Sequence, residues 1–170
     1  MDPAKFCARC GTTLEERTID GRARLACSSE SCDFVHWNSP VPVVAAIVQL
    51  EDQIVLVRNH GWPDKMFGLV TGFLEKGEAP DRGVLREVDE ELGLSGEVAG
   101  LVGVYAFEAK NELIVAYHVI ATGEVRLGDE LAAHKCVPVD RLKPWPFGTG
   151  HAVRDWLERG TLQAGSAPGV

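Results

Sequence analysis

Apolar and polar positions follow two different rhythms along this chain, and each rhythm marks a kind of element. Val43–Leu50 is an almost unbroken aliphatic run of the length of a buried strand, and Ile54–Val57 resumes it after Glu51-Asp-Gln, which predicts a hairpin. Glu97–Phe107 and Leu113–Ala121 predict a second hairpin across Glu108–Glu112. Val125–Leu127 reads as a short edge strand, Gly128–His134 as a loop or helical turn, and Lys135–Val137 as the last strand. Between the hairpins the rhythm changes. Val84, Leu85, Val88 and Leu92 recur at spacings of three and four, the stripe of an amphipathic helix. Pro80 suits its first turn and Gly93 its left-handed cap. A second helix is predicted over Gly150–Arg159, with Val153, Trp156 and Leu157 on one face.

The first forty residues are of another kind. Thr12–Leu25 alternates around Asp20-Gly21, a strong two-residue turn signal, and Ser39-Pro-Val-Pro42 is a stiff extended linker. The expected organisation is a small module over residues 1–38, an α/β domain over 39–160 and a tail over 161–170 that is poor in packing residues.

Composition narrows the class. The chain has 170 residues, 45% of them hydrophobic, enough for one domain with a core plus an appendage. The 17 Lys and Arg against 25 Asp and Glu leave a formal charge of −8, which argues against nucleic acid or a membrane surface as partner. No apolar segment resembles a secretory signal or a membrane span, so the expected compartment is the cytoplasm.

Four of the five cysteines stand as Cys7-Ala-Arg-Cys10 and Cys27-Ser-Ser-Glu-Ser-Cys32, with sixteen residues between the pairs. Two close pairs on tight turns are the layout of a closed, structural four-thiolate zinc site. Disulfides are disfavoured without a secretion signal, and a redox pair lacks a thioredoxin-like context. With the hairpin between the pairs this makes a zinc ribbon, too small to fold without its metal. Cys136 reads as a buried thiol.

The polar face of the first helix is acidic. Glu87, Glu90 and Glu91 sit at i, i+3 and i+4, where like charges repel by a few tenths of a kcal/mol per pair, and such crowding is useful when it holds a hard cation. Magnesium or manganese is the expected ion. Arg86 stands to pair with Glu78 across the preceding loop. Ala79 occupies the cap position where Ser or Thr is commoner, and Gly83 costs about 1 kcal/mol against alanine in a helix.

Gly72, Glu78, Arg86, Glu87, Val88, Glu90, Glu91, Gly93 and Leu94 together fill the fixed places of the Nudix hydrolase signature. The resemblance implies an α/β/α sandwich with a mixed sheet, preceded here by the ribbon. It also implies that Glu87, Glu90 and Glu91 hold a catalytic Mg²⁺ or Mn²⁺, joined by the backbone carbonyl of Thr71 or Gly72. Glu130 is the candidate for a further ligand or base; a second acid of the family would fall on Ala133. The ribbon, the Asn-Ser-Pro linker and Gly72-Phe73 resemble the branch that includes NADH pyrophosphatases, in which Phe73 would lie against a base; the alternative for Phe73 is a core position. The Ser-Gln-Pro-Trp-Pro-Phe block of the NADH-specific members is absent after the box. Pro144-Trp-Pro-Phe147 comes after the last strand and is expected to pack that loop onto the terminal helix. The implied activity is cleavage of a nucleoside diphosphate linked to another moiety, such as NAD(H), FAD or ADP-ribose, with a homodimer as the implied assembly. The competing readings are a nucleotide-sensing or interaction module without turnover, and hydrolysis of nucleoside triphosphates or RNA caps.

Overall fold

Asp20 and Gly21 both take the left-handed conformation, with φ of 51° and 74°. That turn closes β1 (Leu14–Ile19) onto β2 (Arg22–Cys27) in antiparallel register, Ile19 opposite Arg22. β3 (Val35–His36) completes a three-stranded sheet, which makes His36 a strand residue opposite Leu25. The computed structural model describes residues 4–164, with side chains through residue 160. The chain divides into two compact units, Met1–Ser39 and Pro40–Val170.

In the second unit the aliphatic run is β4 (Val41–Leu50), the centre of a six-stranded mixed sheet. The other elements are β5 (Gln53–Asn59), β6 (Val70–Phe73), α1 (Pro80–Leu92), β7 (Ser95–Phe107), β8 (Glu112–Thr122), β9 (Leu131–Pro138) and α2 (Gly150–Ala164). The order is β7-β8-β4-β5-β9. β4 runs parallel to β8 over its whole length; on its other side its first half pairs with β6 and its last residues with β5, both antiparallel.

The uninterrupted apolar character of β4 follows from cover on both faces. Val44, Ala46 and Val48 point into one core with Val84, Val88 and Leu92 of α1, while Val43, Ala45 and Ile47 point into a second core with Ala152 and Val153 of α2. This is the α/β/α sandwich with a mixed sheet. Tyr105 on β7 donates to Asp155 Oδ2 of α2 at 2.9 Å, and the His118 ring on β8 meets that of Trp156 at 5.1 Å in a tilted contact, tying α2 to the sheet.

Four sequence expectations require correction. Val125–Leu127 is not a strand: Arg126 N–H donates to Leu92 O at 2.7 Å and Gly128 N–H to Glu91 O at 2.9 Å, so this segment caps the end of α1. Leu131–His134 is not a loop or helical turn but the first half of β9, because it pairs with Val57–Asn59 of β5. Cys136 is exposed rather than buried, because β9 is an edge strand and His134–Cys136 stand free of cover. The terminal helix passes Arg159 and takes Thr161–Ala164 from the expected tail, whose remainder, 165–170, lies outside the described residues.

Candidate active site

α1 begins at Ala79, which caps with extended backbone and no side-chain hydrogen bond, and Pro80 follows as the first helical residue. It ends at Gly93, φ 63°, whose N–H donates to Asp89 O. These ends set the rotation of the acidic face, and β6 runs beside it. At Gly72 any Cβ would fall inside the carboxyl group of Glu87, so glycine is required there for Glu87 to lie against the strand backbone. Gly83 has a similar reason. A Cβ there would come within 2.9 Å of Glu78 Oε2 and 3.0 Å of Leu74, so the loss in helix propensity leaves room for the Glu78 loop.

Arg86 organises that loop. Its Nε and Nη2 donate to the two oxygens of Glu78 at 2.9 and 3.0 Å, a bidentate pair, and Nη2 also donates to Phe73 O at 3.1 Å. Its Nη1 donates to Glu87 Oε1 at 2.7 Å and Glu90 Oε2 at 2.8 Å. The guanidinium therefore fixes the loop 74–79 to α1 and partly offsets the charge on two acids. Donation from Arg86 holds the Glu78 carboxyl below the usual range.

The pocket beside these residues, about 350 Å³, is lined by Thr71, Gly72, Phe73, Glu75, Glu87, Glu90, Glu91, Gly128, Asp129 and Glu130. Glu130 reaches it from the segment whose amides cap α1. Glu75 and Asp129 line it as well. Sequence reasoning missed both, although Glu75 lies inside the signature and Asp129 adjoins a named acid. No basic side chain is among the lining residues. Glu91 is the buried member, 7% exposed, and its Oε2 has no hydrogen-bond partner. Burial, then the charges of Glu87, Glu130 and Glu90, push its pKa up to about 8. Glu87 is also raised, chiefly by burial, against the opposing effect of Arg86.

An oxygen buried without a partner among other carboxylates fits a hard divalent cation, which accepts carboxylate and backbone oxygens. Among the described residues the four ribbon cysteines are the one group of three or more whose ligand-type atoms all lie within 4.8 Å of one another. The three glutamates do not meet that limit together, although Glu87 and Glu90 share Arg86 Nη1 as donor. Phe73 is 62% exposed at the pocket's lip, which removes its core alternative.

The ribbon sulfurs approach in two cross pairs, Cys7 to Cys32 at 3.8 Å and Cys10 to Cys27 at 3.5 Å. Zn–S bonds of about 2.3 Å in a tetrahedron put sulfurs about 3.8 Å apart, so these residues fit a zinc-type ion. Hydrogen bonding between Cys10 and Thr12, at its hydroxyl and its backbone, brings the Cys10 thiol down to about 6.

An α/β/α sandwich whose helix brings three glutamates, two of them bonded to Arg86, to a glycine-backed acidic pocket defines a scaffold fit for a hard cation. The NUDIX domain family model matches residues 39–156, and the chain belongs to the Nudix family. It is 28% identical over 146 residues to an NAD-capped RNA hydrolase NudC of Pseudomonas aeruginosa, covering 84% of this chain and 50% of that protein. The chain thus spans half the length of that relative. It is also 28% identical over 125 residues to an ADP-ribose pyrophosphatase of Methanocaldococcus jannaschii, covering 69% and 73%. A NUDIX hydrolase structure from Nitrosomonas europaea shares the fold with a TM-score of 0.76 and 21% identity, over 94% of this chain and 93% of that one. Divalent metals are general to the family.

Proposed function

We propose that the protein hydrolyses the diphosphate of a nucleoside diphosphate linked to another moiety, such as NAD(H), FAD or ADP-ribose, to a nucleoside monophosphate and a second phosphorylated product. The observation that carries this reading is the buried, partnerless oxygen of Glu91 inside an otherwise acidic pocket. A Mg²⁺ or Mn²⁺ ion bound there would neutralise the diphosphate and lower the pKa of a coordinated water. Glu87, Glu90 and Glu91 would hold the ion, with the backbone carbonyl of Thr71 or Gly72. Glu130 is either a further ligand or the group that takes the proton as water oxygen bonds to phosphorus and the bridging oxygen departs. Arg86 and Glu78 keep the acid helix and its loop in register. Phe73, exposed beside the acids, lies where it can stack on a base.

The named activities of the two relatives, on NAD-capped RNA and ADP-ribose, share the nucleoside diphosphate linkage, which supports the same substrate class. The ribbon takes a structural zinc through Cys7, Cys10, Cys27 and Cys32. The same reading makes the enzyme cytoplasmic and homodimeric; light scattering tests the assembly. Product analysis by HPLC on NADH, FAD, ADP-ribose, nucleoside triphosphates and NAD-capped RNA, with Mg²⁺ or Mn²⁺, tests the whole. Nucleoside monophosphate from the first three, lost in Glu91→Gln, is expected. Cleavage confined to triphosphates would replace the substrate class, cleavage confined to NAD-capped RNA would move the same linkage chemistry onto a capped strand and favour the RNA-cap reading, and inertness of wild type on every compound would favour the sensing module.

A further inference from the structure

The hairpin of the first unit gathers arginines on one face. Arg17 stands directly opposite Arg24 in the antiparallel register, and Arg22 is two residues from Arg24 along β2, so all three side chains leave the same side of the sheet. Like charges directly opposite on paired strands destabilise them. Glu15 is the single acid among the β1 and β2 residues on that side, with Asp20 at the turn. Arg17 and Arg22 are exposed, and neither has an ion pair among the described residues; the pair described in this unit joins Arg9 to Asp33. The Arg24 guanidinium lies 4.7 Å over the ring of Trp37, just past β3, and its Nη1 donates to Trp37 O at 3.0 Å. Trp37 is nevertheless 51% exposed. A tryptophan held by a cation on one side and open elsewhere thus stands on the face of two unpaired arginines.

We infer that this ribbon face binds single-stranded nucleic acid, with Arg17, Arg22 and Arg24 on its phosphates and Trp37 stacked on a base. The planar fork of an arginine matches phosphate geometry, and two of the three forks have no partner to give up. Bound phosphates also remove the repulsion between Arg17 and Arg24. The exposed ring separates the possible polyanions. An acidic peptide or an anionic lipid surface answers the charge but offers the indole no flat partner, whereas a base does. Arg24, packed over the ring, holds it in one orientation before the strand arrives. Stacking tolerates every base, so the face selects a strand and not a sequence. The formal charge of −8 is a sum over the whole chain, and this face carries three cations against Glu15. The site uses neither the acidic pocket nor a diphosphate, so it stands or falls apart from the diphosphatase reading.

Zinc-loaded, full-length protein is titrated into a fluorescein-labelled oligoribonucleotide of about 12 residues with a 5′-hydroxyl end, in buffer without Mg²⁺, and binding is read by anisotropy. Saturable binding is expected, with log K falling against log salt at a slope of about −2, roughly −0.7 for each of three phosphates. Arg17→Ala combined with Arg22→Ala should weaken it about tenfold and bring the slope to about −0.7, with NADH turnover unchanged. Trp37→Ala should weaken the oligonucleotide about tenfold and leave inorganic polyphosphate, which has no bases, within about twofold; Trp37→Phe should keep most of the affinity. Arg154→Ala, an exposed arginine on α2, should change nothing. Each variant is compared at equal zinc content, and Arg17→Gln with Arg22→Gln replaces the alanine pair if that pair loses zinc. Absence of saturable binding at low salt, affinity unchanged in the double variant or in Trp37→Ala, or equal competition by poly-L-glutamate or anionic vesicles would overturn the inference.

Discussion

Glu91→Gln should make the metal-free protein more stable, and increasingly so as pH rises from about 4.5 to 8. An ordinary glutamate titrates near 4.5, and in this fold Glu91 is held near 8. A difference of about 3.5 pH units at 1.36 kcal/mol each is about 5 kcal/mol, the upper bound on the penalty for ionising this side chain in the folded state. Titration shared with Glu87, Glu90 and Glu130 reduces what one substitution recovers, so about 3 kcal/mol is expected. The folded state holds the proton more tightly than the unfolded chain between pH 4.5 and 8. Stability therefore falls as pH rises through that window, is free of the penalty below it and carries all of it above. Urea or thermal unfolding from pH 5 to 9, in buffers stripped of divalent ions but without chelator so that ribbon zinc stays, measures the effect. The variant should match wild type at pH 5 and melt roughly 10 °C higher at pH 9. Adding Mg²⁺ at pH 8 should stabilise wild type and do little for the variant. Parallel pH curves for the two proteins would refute both the buried charge and the cation reading built on it.

Gly72→Ala should cut metal-dependent turnover by about two orders of magnitude, because the new methyl displaces Glu87; the initial rate at saturating Mg²⁺ checks it. Gly83→Ala gains about 1 kcal/mol of helix propensity but meets Glu78 at 2.9 Å, so a net loss of stability is expected on urea titration. Freshly purified protein should carry about one zinc per chain, lost in Cys27→Ser, as atomic absorption reads. Burial lowers the His118 pKa below its ordinary 6.5, so the folded state binds fewer protons than the unfolded one and stability drops as pH falls below 6.5; His118→Gln should flatten that limb. Tyr105→Phe removes the donor to Asp155 Oδ2 while Arg154 still donates to Oδ1, and should cost about 1 kcal/mol in chemical unfolding.

Local chemistry was legible where one short segment contains it. The ends of α1, its buried stripe, the Arg86–Glu78 pair, the Asp20-Gly21 hairpin and the spacing of the four cysteines all depend on neighbours within about two turns or one loop, so sequence periodicity and turn chemistry reach them. Cys136 and Val125–Leu127 were misread because their surroundings are set at long range. The first lies on a strand that happens to be outermost, and the second has amides that find helix carbonyls instead of a sheet edge.

The sequence by itself determined that an acid-rich helix with defined ends follows a glycine strand, and that a four-thiol hairpin precedes it. Tertiary structure alone decided that β4 and β8 run side by side in parallel, although seventy residues of chain intervene between Val41 and Glu112. It also decided why Gly83 interrupts a good helix, and that Glu130 reaches the acidic pocket. The division has a physical cause: side-chain periodicity and backbone preference act between near neighbours, whereas burial of Glu91 and exposure of Phe73 depend on which distant strands and loops close around them.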